Sequence, residues 1–473
     1  MRPITYDAPV SANLISDSLQ AASTRPYWLE DAAESRPRFD HGPDVPTAWD
    51  LVVVGGGFTG LWAALIAKQR DPGLKVALLE AQSVAWAASG RNGGFVESSI
   101  THGETNGRNR WPGEYETLER LGIENLDQLE QTVADLGIDC DFRRTGSLNV
   151  AVEPYQERKL LALDPAEIAP ARVLRREEIA AEVNSPVYRA AWFDPRTNAV
   201  VHPAKLAFGL ARAAADSGVE IFEHTKVLGL NADAGRVAVA TDRSILSAKK
   251  VLLATNAFPA LLRRYRLFTV PWYDYALMTE PLTGEQLDQL GWKGRQGMAD
   301  ISTQFHYYRM TADNRILWGG YDAIYERGIS AAHDQRPETW RKLARHFFIT
   351  FPYLEGIKFT NQWGGPIDCS TQFCAFFGKA YSGRVVHAAG FTGLGVGASR
   401  FAARVMLDLL SGKPTDITEL EMVRRLPLPF PPEPFAGIGI HLAQRSIDLA
   451  DHNDGKRNLY LKLLDKLGMG YEV

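Results

Sequence analysis

The sequence predicts an α/β fold: a discontinuous, Rossmann-like layer interleaved with a mainly antiparallel β-sheet domain. Three observations carry this. A buried strand, a glycine turn and a helix open at Leu51-Val-Val-Val-Gly-Gly-Gly-Phe-Thr-Gly60. A second strand, glycine turn and helix, Arg384-Val-Val-His-Ala-Ala-Gly-Phe-Thr-Gly-Leu-Gly-Val-Gly397 and onward to Leu410, stands near the other end of the chain. Between them, residues 263–364 read as mainly β, with Trp, Tyr and Phe throughout. Parallel units so far apart must enclose a second domain.

Residues 1–48 are rich in Ser, Pro, Asp and Arg and carry Pro26-Tyr-Trp-Leu29. Tyr27, Trp28 and Trp49 argue for an ordered, irregular lead-in over disorder. In the first unit the three glycines serve different ends. Gly55 permits the tight turn, Gly57 lets backbone approach a pyrophosphate, and Gly60 lets the helix pack close to the sheet. Phe58 and Thr59 open that helix, whose N-terminal N–H groups and dipole suit phosphates. Val76-Ala-Leu-Leu-Glu80 reads as the next parallel strand, followed by Ala81. Glu80 stands about 25 residues beyond Gly55, near the ~20 expected of an acid that accepts both hydrogen bonds from a ribose diol.

Leu118, Leu121, Ile123, Leu126, Leu129, Val133 and Leu136 recur at helical spacing within 108–140. Thr145–Val152 reads as a strand, and 154–184 as charged and helical. The α/β pattern then returns: a helix at 202–216, a strand at 219–222, a hairpin-like segment at 226–247, and the buried strand Lys250-Val-Leu-Leu-Ala-Thr-Asn256. The resulting division is a lead-in 1–48, a dinucleotide-binding domain 49–100, 196–262 and 365–425, a second domain 101–195 and 263–364, and a C-terminal extension 426–473.

The chain has 473 residues, 45% hydrophobic and 23% charged, ordinary for a globular protein. A formal net charge of −4 argues against a nucleic-acid binder. No apolar run reaches the ~18–20 residues that span a bilayer, and Met1-Arg-Pro-Ile-Thr-Tyr-Asp7 has no apolar signal core. Cys140, Cys369 and Cys374 are too few for a disulfide framework, and their spacing suggests no metal site. The expectation is a cytoplasmic protein without a metal. Oligomeric state is not fixed by these features.

Four segments, Val54-Gly-Gly-Gly-Phe-Thr-Gly60, Ser89-Gly-Arg-Asn-Gly-Gly94, Leu253-Ala-Thr-Asn-Ala257 and Ala389-Gly-Phe-Thr-Gly-Leu-Gly-Val396, together resemble the D-amino-acid oxidase-type family of FAD-dependent oxidoreductases. Pro26-Tyr-Trp-Leu-Glu-Asp-Ala32, Trp363-Gly-Gly-Pro-Ile-Asp368 and Pro431-Pro-Glu-Pro434 narrow the resemblance to a gamma-glutamylputrescine oxidoreductase-like branch. The resemblance implies FAD. Ser89, Gly90, Arg91, Asn92, Gly93 and Gly94 would cross the flavin, with Arg91 and Asn92 donating to its oxygens or to the pyrophosphate. Thr225, Lys226 and Val227 would face the adenine, and Ala254, Thr255 and Asn256 would leave room beside the pyrophosphate. Thr392, Gly393, Leu394, Gly395 and Val396 would bring N–H groups to the flavin edge where negative charge develops on reduction. The flavin is expected to be held without a covalent bond, because Asp368-Cys-Ser-Thr-Gln-Phe-Cys374 does not match the tethering pattern of some relatives.

The implied reaction is oxidation of a C–H bond beside an amine nitrogen by hydride transfer to flavin N5, the imine hydrolysing to a carbonyl product. A small primary or secondary amine, such as a polyamine or aminophosphonate, is the expected substrate, with oxygen or another electron acceptor reoxidising the flavin. Alternatives are an amino-acid oxidase or dehydrogenase, and a flavoprotein subunit of a larger complex. Gln304-Phe-His-Tyr-Tyr-Arg-Met310 is the candidate substrate-facing strand. Its alternation puts Phe305, Tyr307 and Arg309 on one face and His306, Tyr308 and Met310 on the other, and leaves open which face meets the flavin. Arg309 can hold a carboxylate or form a structural ion pair; His306 and Tyr308 are site or packing residues. His102, in Ser99-Ile-Thr-His-Gly103, and Trp363 complete the candidates.

Overall fold

Five parallel strands form the centre of one sheet, in the order Val385–Ala389, Ile245–Leu253, Ala48–Val54, Val76–Leu79 and Val219–Phe222. The computed structural model describes residues 2–39, 46–233 and 235–470. The antiparallel strand Phe376–Ala380 closes one edge. The hairpin of Val227–Asp233 and Arg236–Thr241 pairs with the first half of Ile245–Leu253. The central strands are apolar runs, as a sheet covered on both faces requires. The helix Phe58–Arg70 returns the chain from Ala48–Val54 to Val76–Leu79 and buries Leu61, Trp62 and Leu65 beside the helices Pro203–Asp216 and Gly395–Ser411. Each such side chain contributes about 1.5–3 kcal/mol by leaving water.

The second sheet has nine strands, all antiparallel to their neighbours except Gly297–Asp300 beside Ser147–Ala151. At its centre Val270–Thr279 pairs along its whole length with Phe359–Cys369, and on its other edge with Ile316–Gly320, which in turn pairs with His306–Met310. One face carries Tyr273, Tyr275, Leu277, Tyr308 and Trp318 into a core completed by the helix Pro337–Thr350. The opposite face carries Ala276, Met278, Leu317 and Trp363 into the core of the first layer. The two sheets thus share a buried seam.

Several boundaries differ from the sequence expectation. The stretch 154–184 includes the strand Arg172–Arg175, which pairs with Ala190–Asp194. Tyr115–Asp135 is the expected helix, but it packs its apolar stripe on Gly395–Ser411, so it covers the parallel layer although the sequence division assigned it to the second domain. The strand Phe359–Cys369 carries the second sheet past residue 364. The lead-in divides: Tyr6 packs in the second core, Tyr27 and Trp28 in the first, and residues 40–45 lie outside the described ones. In the C-terminal extension, the helix Phe435–Asp451 reaches back so that Asp451 accepts from the backbone N–H groups of Thr303 and Gln304. Among the described residues no helix is long and apolar enough to cross a membrane.

Candidate cofactor and substrate site

A cavity of about 650 Å³ runs along the C-terminal ends of the five parallel strands. Glu80 and Thr225–Leu228 line one end, Gly55, Gly57, Phe58 and Thr59 with Ala254–Asn256 the middle, and Ile367, Asp368, Phe391, Gly393, Gly395 and Val396 the other. Strands ~4.8 Å apart put the outermost strand ends about 19 Å from each other, enough for a dinucleotide lying crosswise. The strand order reverses between Ala48–Val54 and Ile245–Leu253, and a crevice at such a switch point is where open α/β sheets bind ligands.

The glycine turn fits this place because it has no room for side chains. Gly55 has φ +113°, and a Cβ there would stand 2.4 Å from the Ala254 carbonyl oxygen. At Gly60 a Cβ would stand 1.9 Å from the Gly55 oxygen, so the helix rests on the turn itself. Before Gly57 the Ser89 hydroxyl accepts from the Phe58 N–H at 2.9 Å, leaving backbone and one small hydroxyl as the wall. Glu80 is buried; burial pushes its carboxyl up, and three donors oppose this. They are the Gly56 N–H at 2.7 Å, the Gln82 N–H at 2.9 Å and the Trp86 indole at 2.9 Å. A carboxylate offers about four acceptor positions, so one is left for a ribose hydroxyl where the sequence suggested two.

The loop Ser89–Gly94 borders the cavity through Ser89 and Asn92, but its donors are spent within the protein. Arg91 pairs with Asp334 at 2.6 Å and donates to the carbonyls of Gly364 and Trp86. The Asn92 amide donates to the carbonyls of Ala88 and Ser89 and accepts from the Gly94 N–H. The expectation that Arg91 and Asn92 donate to the cofactor is therefore corrected: they brace the loop. Gly90, Gly93 and Gly94 do not line the cavity. Their missing Cβ atoms make way for Leu29, Tyr307 and the Val201 carbonyl respectively.

At the opposite end the turn Gly390–Leu394 leads into the helix Gly395–Ser411. Asp368 holds this turn. Its carboxylate accepts from the Gly390 N–H at 2.6 Å and from the Phe391 N–H, and its carbonyl accepts from the Thr392 N–H at 3.1 Å. Burial pushes the Asp368 carboxyl up to about 7, against the amides that lower it. Thr392 and Leu394 are outside the lining; they fix the turn. The first N–H groups of a helix have no intrahelical acceptor, and those of Gly395 and Val396 belong to residues that line the cavity.

None of the five residues proposed for catalysis lines this cavity. His306 is fully buried, with its ring against Asp300 at 2.6 Å and His346 at 2.9 Å. Tyr308 is bonded to the Tyr188 hydroxyl at 2.7 Å in the second core. Arg309 is buried; its guanidinium donates to the carbonyls of Gly94 and Val201 and stacks over Trp28, and burial pulls it down to about 10. Among the described residues it forms no ion pair, and it lies outside the cavity lining. The Trp363 indole donates to the Arg91 carbonyl at 2.8 Å from within the first core. His102 is half-buried with its ring edge-on to Phe373, and burial beside Arg110 pulls it down to about 4. The two faces of the strand separate as the alternation predicts: Tyr307 and Arg309 meet Gly93 and Gly94, whereas His306 and Tyr308 turn to the second core. Cys369 and Cys374 are buried, outside the lining, and burial pushes both thiols up, Cys374 to about 12.

Sequence reasoning missed Asp368, Trp86 and Tyr307. Asp368 was signalled by its place at the end of Trp363-Gly-Gly-Pro-Ile-Asp368, and Tyr307 by the alternation of its strand. The Trp86 contact with Glu80 had no sequence signal.

The family model of the FAD dependent oxidoreductases, DAO, matches residues 50–409. The chain is 29% identical over 433 residues to gamma-glutamylputrescine oxidoreductase of Escherichia coli, covering 86% of this chain and 93% of that one. It is 27% identical over 374 residues to the probable oxidoreductase OrdL of Haemophilus influenzae, covering 77% and 83%. Its fold superposes on the crystal structure of glycine oxidase from Geobacillus kaustophilus with a TM-score of 0.65 and 19% identity, over 80% of this chain and 100% of that one. The crevice across the strand ends, its three crowded glycines and the helix start at its far end fit the cofactor of that family. The chain belongs to the DAO family of FAD-dependent oxidoreductases, and its cofactor is FAD.

Proposed function

We propose that the protein oxidises the C–H bond beside the nitrogen of a small primary or secondary amine, giving an imine that hydrolyses to a carbonyl compound. Bound FAD supplies the acceptor for the departing hydride. Glu80, Lys226 and Val227 hold the adenosine end, the turns at Gly55–Thr59 and Ala254–Asn256 the pyrophosphate, and Gly393–Val396 the flavin edge. No covalent link is proposed, since the thiols of Cys369 and Cys374 lie outside the cavity and are held in the protonated form. The observation that carries the reading is the Asp368-braced turn. With the flavin edge set against this turn, its fixed N–H groups would stabilise the negative charge that accumulates on reduction without rearrangement.

The amine reading is supported by the gamma-glutamylputrescine oxidoreductase relative and by the arginines. A guanidinium is the usual bidentate partner of a substrate carboxylate; Arg91 is paired with Asp334, and Arg309, whose Nη1 donates to backbone carbonyls, is buried outside the cavity. The test is single-turnover reduction with an amine deuterated beside nitrogen. Slower reduction than with the protiated amine, with one carbonyl product per flavin reduced, supports the reading; equal rates and no carbonyl product refute it.

A further inference from the structure

The face of the antiparallel sheet that looks toward the flavin loop is not fully closed. Along Val270–Thr279, Trp272 and Asp274 touch solvent, whereas Tyr273 and Tyr275 are buried. Along the paired strand, Gly365 and Ile367 touch solvent while Gly364 and Pro366 do not. Tyr307 is half-buried between buried His306 and Tyr308. Trp272, Asp274, Gly365 and Ile367 alternate with buried residues on two paired strands, and Tyr307 reaches the same face across the buried strand Ile316–Gly320, so their solvent contact describes a recess over that face. Ile367 also lines the cofactor cavity, and Gly365, the partner of Asp274, lies two residues, about 7 Å, farther along the strand.

The recess is built around two side chains. A Cβ at Gly319 would stand 2.6 Å from the Tyr307 ring, and one at Gly93 would stand 2.8 Å from it. The ring therefore lies between two glycines, one on the sheet and one on the flavin loop. So placed, its hydroxyl donates to Asp274 Oδ2 at 2.6 Å. The Tyr275 N–H donates to the other oxygen at 2.9 Å, and the Gly320 amide also faces the carboxylate. Three donors leave one of about four acceptor positions unused. Arg91, which lies before Gly365, is neutralised by Asp334 at 2.6 Å. Arg91 approaches the space before Gly365 with its Cδ at 3.3 Å and with Nη1, the nitrogen paired to Asp334, at 3.9 Å. Burial pushes the Asp274 carboxyl up to about 6, and above that pH its charge is added to the neutral Arg91–Asp334 pair.

We propose that Asp274, positioned by the Tyr307 hydroxyl, receives the ammonium group of the substrate and makes the site select amines over α-amino acids. The selectivity rests on the amine-oxidation reading above. A substrate cation takes the remaining acceptor position and passes its extra proton to the carboxylate before hydride leaves, while a carboxylate beside the amine would meet a like charge, with Arg91 already paired to Asp334. The charge-assisted hydrogen bond is of the size that changes affinity by about ten- to a hundredfold.

The test uses FAD-loaded wild-type protein and the variants Asp274→Asn, Asp274→Glu and Tyr307→Phe. tert-Butylammonium has no hydrogen on the carbon beside nitrogen and cannot be oxidised, so its effect on the flavin spectrum reads binding alone. The second readout is the ratio of kcat/KM for the best amine to that for its α-carboxylated counterpart. Asp274→Asn is expected to retain FAD, to bind tert-butylammonium at least about tenfold more weakly and to lose preference for the amine by a similar factor. Asp274→Glu should recover part of both. Wild-type protein that shows no binding, or an Asp274→Asn variant that binds as tightly as wild type, overturns the proposal. If Asp274→Asn loses FAD, an unchanged amine preference in Tyr307→Phe overturns it instead. Amine oxidation with an unchanged ratio refutes this inference alone. Asp274-dependent binding without oxidation of any amine refutes the amine reading and its selectivity, and leaves the cation site.

Discussion

The Gly390 N–H donates across 2.6 Å to the buried carboxylate of Asp368, tying the last long strand of the antiparallel sheet to the turn that opens the final helix of the parallel layer. The tie joins the antiparallel sheet to the parallel layer. Burial sets the charge of this carboxyl, and charge sets how firmly the turn is held.

This gives a pH prediction. Asp368 is raised by burial from about 3.8 to about 7, so between those values the folded chain holds a proton that the unfolded chain releases. The stability contributed by the group is full below the unfolded value and is lost as pH rises through about 7. Flavin-free protein should therefore lose thermal stability between pH 5 and pH 8, and Asp368→Asn should flatten that slope. An unaltered slope in the variant counts against the assignment.

Gly55→Ala should abolish FAD retention. Its Cβ would meet the Ala254 oxygen at 2.4 Å, and the φ of +113° is strained for any side chain, at a cost of about 1–3 kcal/mol before the clash is relieved. Flavin absorbance of the purified variant and its melting temperature read the two effects.

Arg309→Met should act on stability and not on substrate choice. It leaves the Val201 carbonyl without the Arg309 donor, while the Gly94 carbonyl keeps the Val201 N–H at 2.8 Å, a loss of about 1–3 kcal/mol for the group left unpaired. Urea unfolding should show it, while the preference between amine and amino acid stays at the wild-type value. A shift in that preference would restore Arg309 as a substrate anchor.

His306→Phe should destabilise the second core by about 3 kcal/mol, because Asp300 is fully buried and the imidazole is its closest side-chain partner. Flavin reduction at saturating amine should keep its wild-type rate in the folded fraction.

The FAD-binding half was legible because its physics is local. Gly55, Gly57 and Gly60 act through atoms within a few residues or on the adjacent strand end, and Glu80 closes the next strand. The substrate half was not, because its side chains are decided by distant partners. Arg91 is claimed by Asp334 and Arg309 by Gly94 and Val201, and no spacing rule reports that an arginine is already engaged. Alternation correctly separated Tyr307 from Tyr308. It did not identify the outward face, because both faces of that sheet are covered and hydrophobicity cannot choose between two interiors. Asp368 ends the motif that begins at Trp363, but its role depends on a turn 22 residues later.

Oxidation beside an amine nitrogen can be read in a single experiment. FAD-loaded protein is mixed anaerobically with a panel of amines, polyamines, amino acids and aminophosphonates, and the flavin absorbance is followed. One or more amines should bleach the flavin, faster than their α-carboxylated counterparts do. Bleaching by none of the nitrogen compounds would contradict amine oxidation outright.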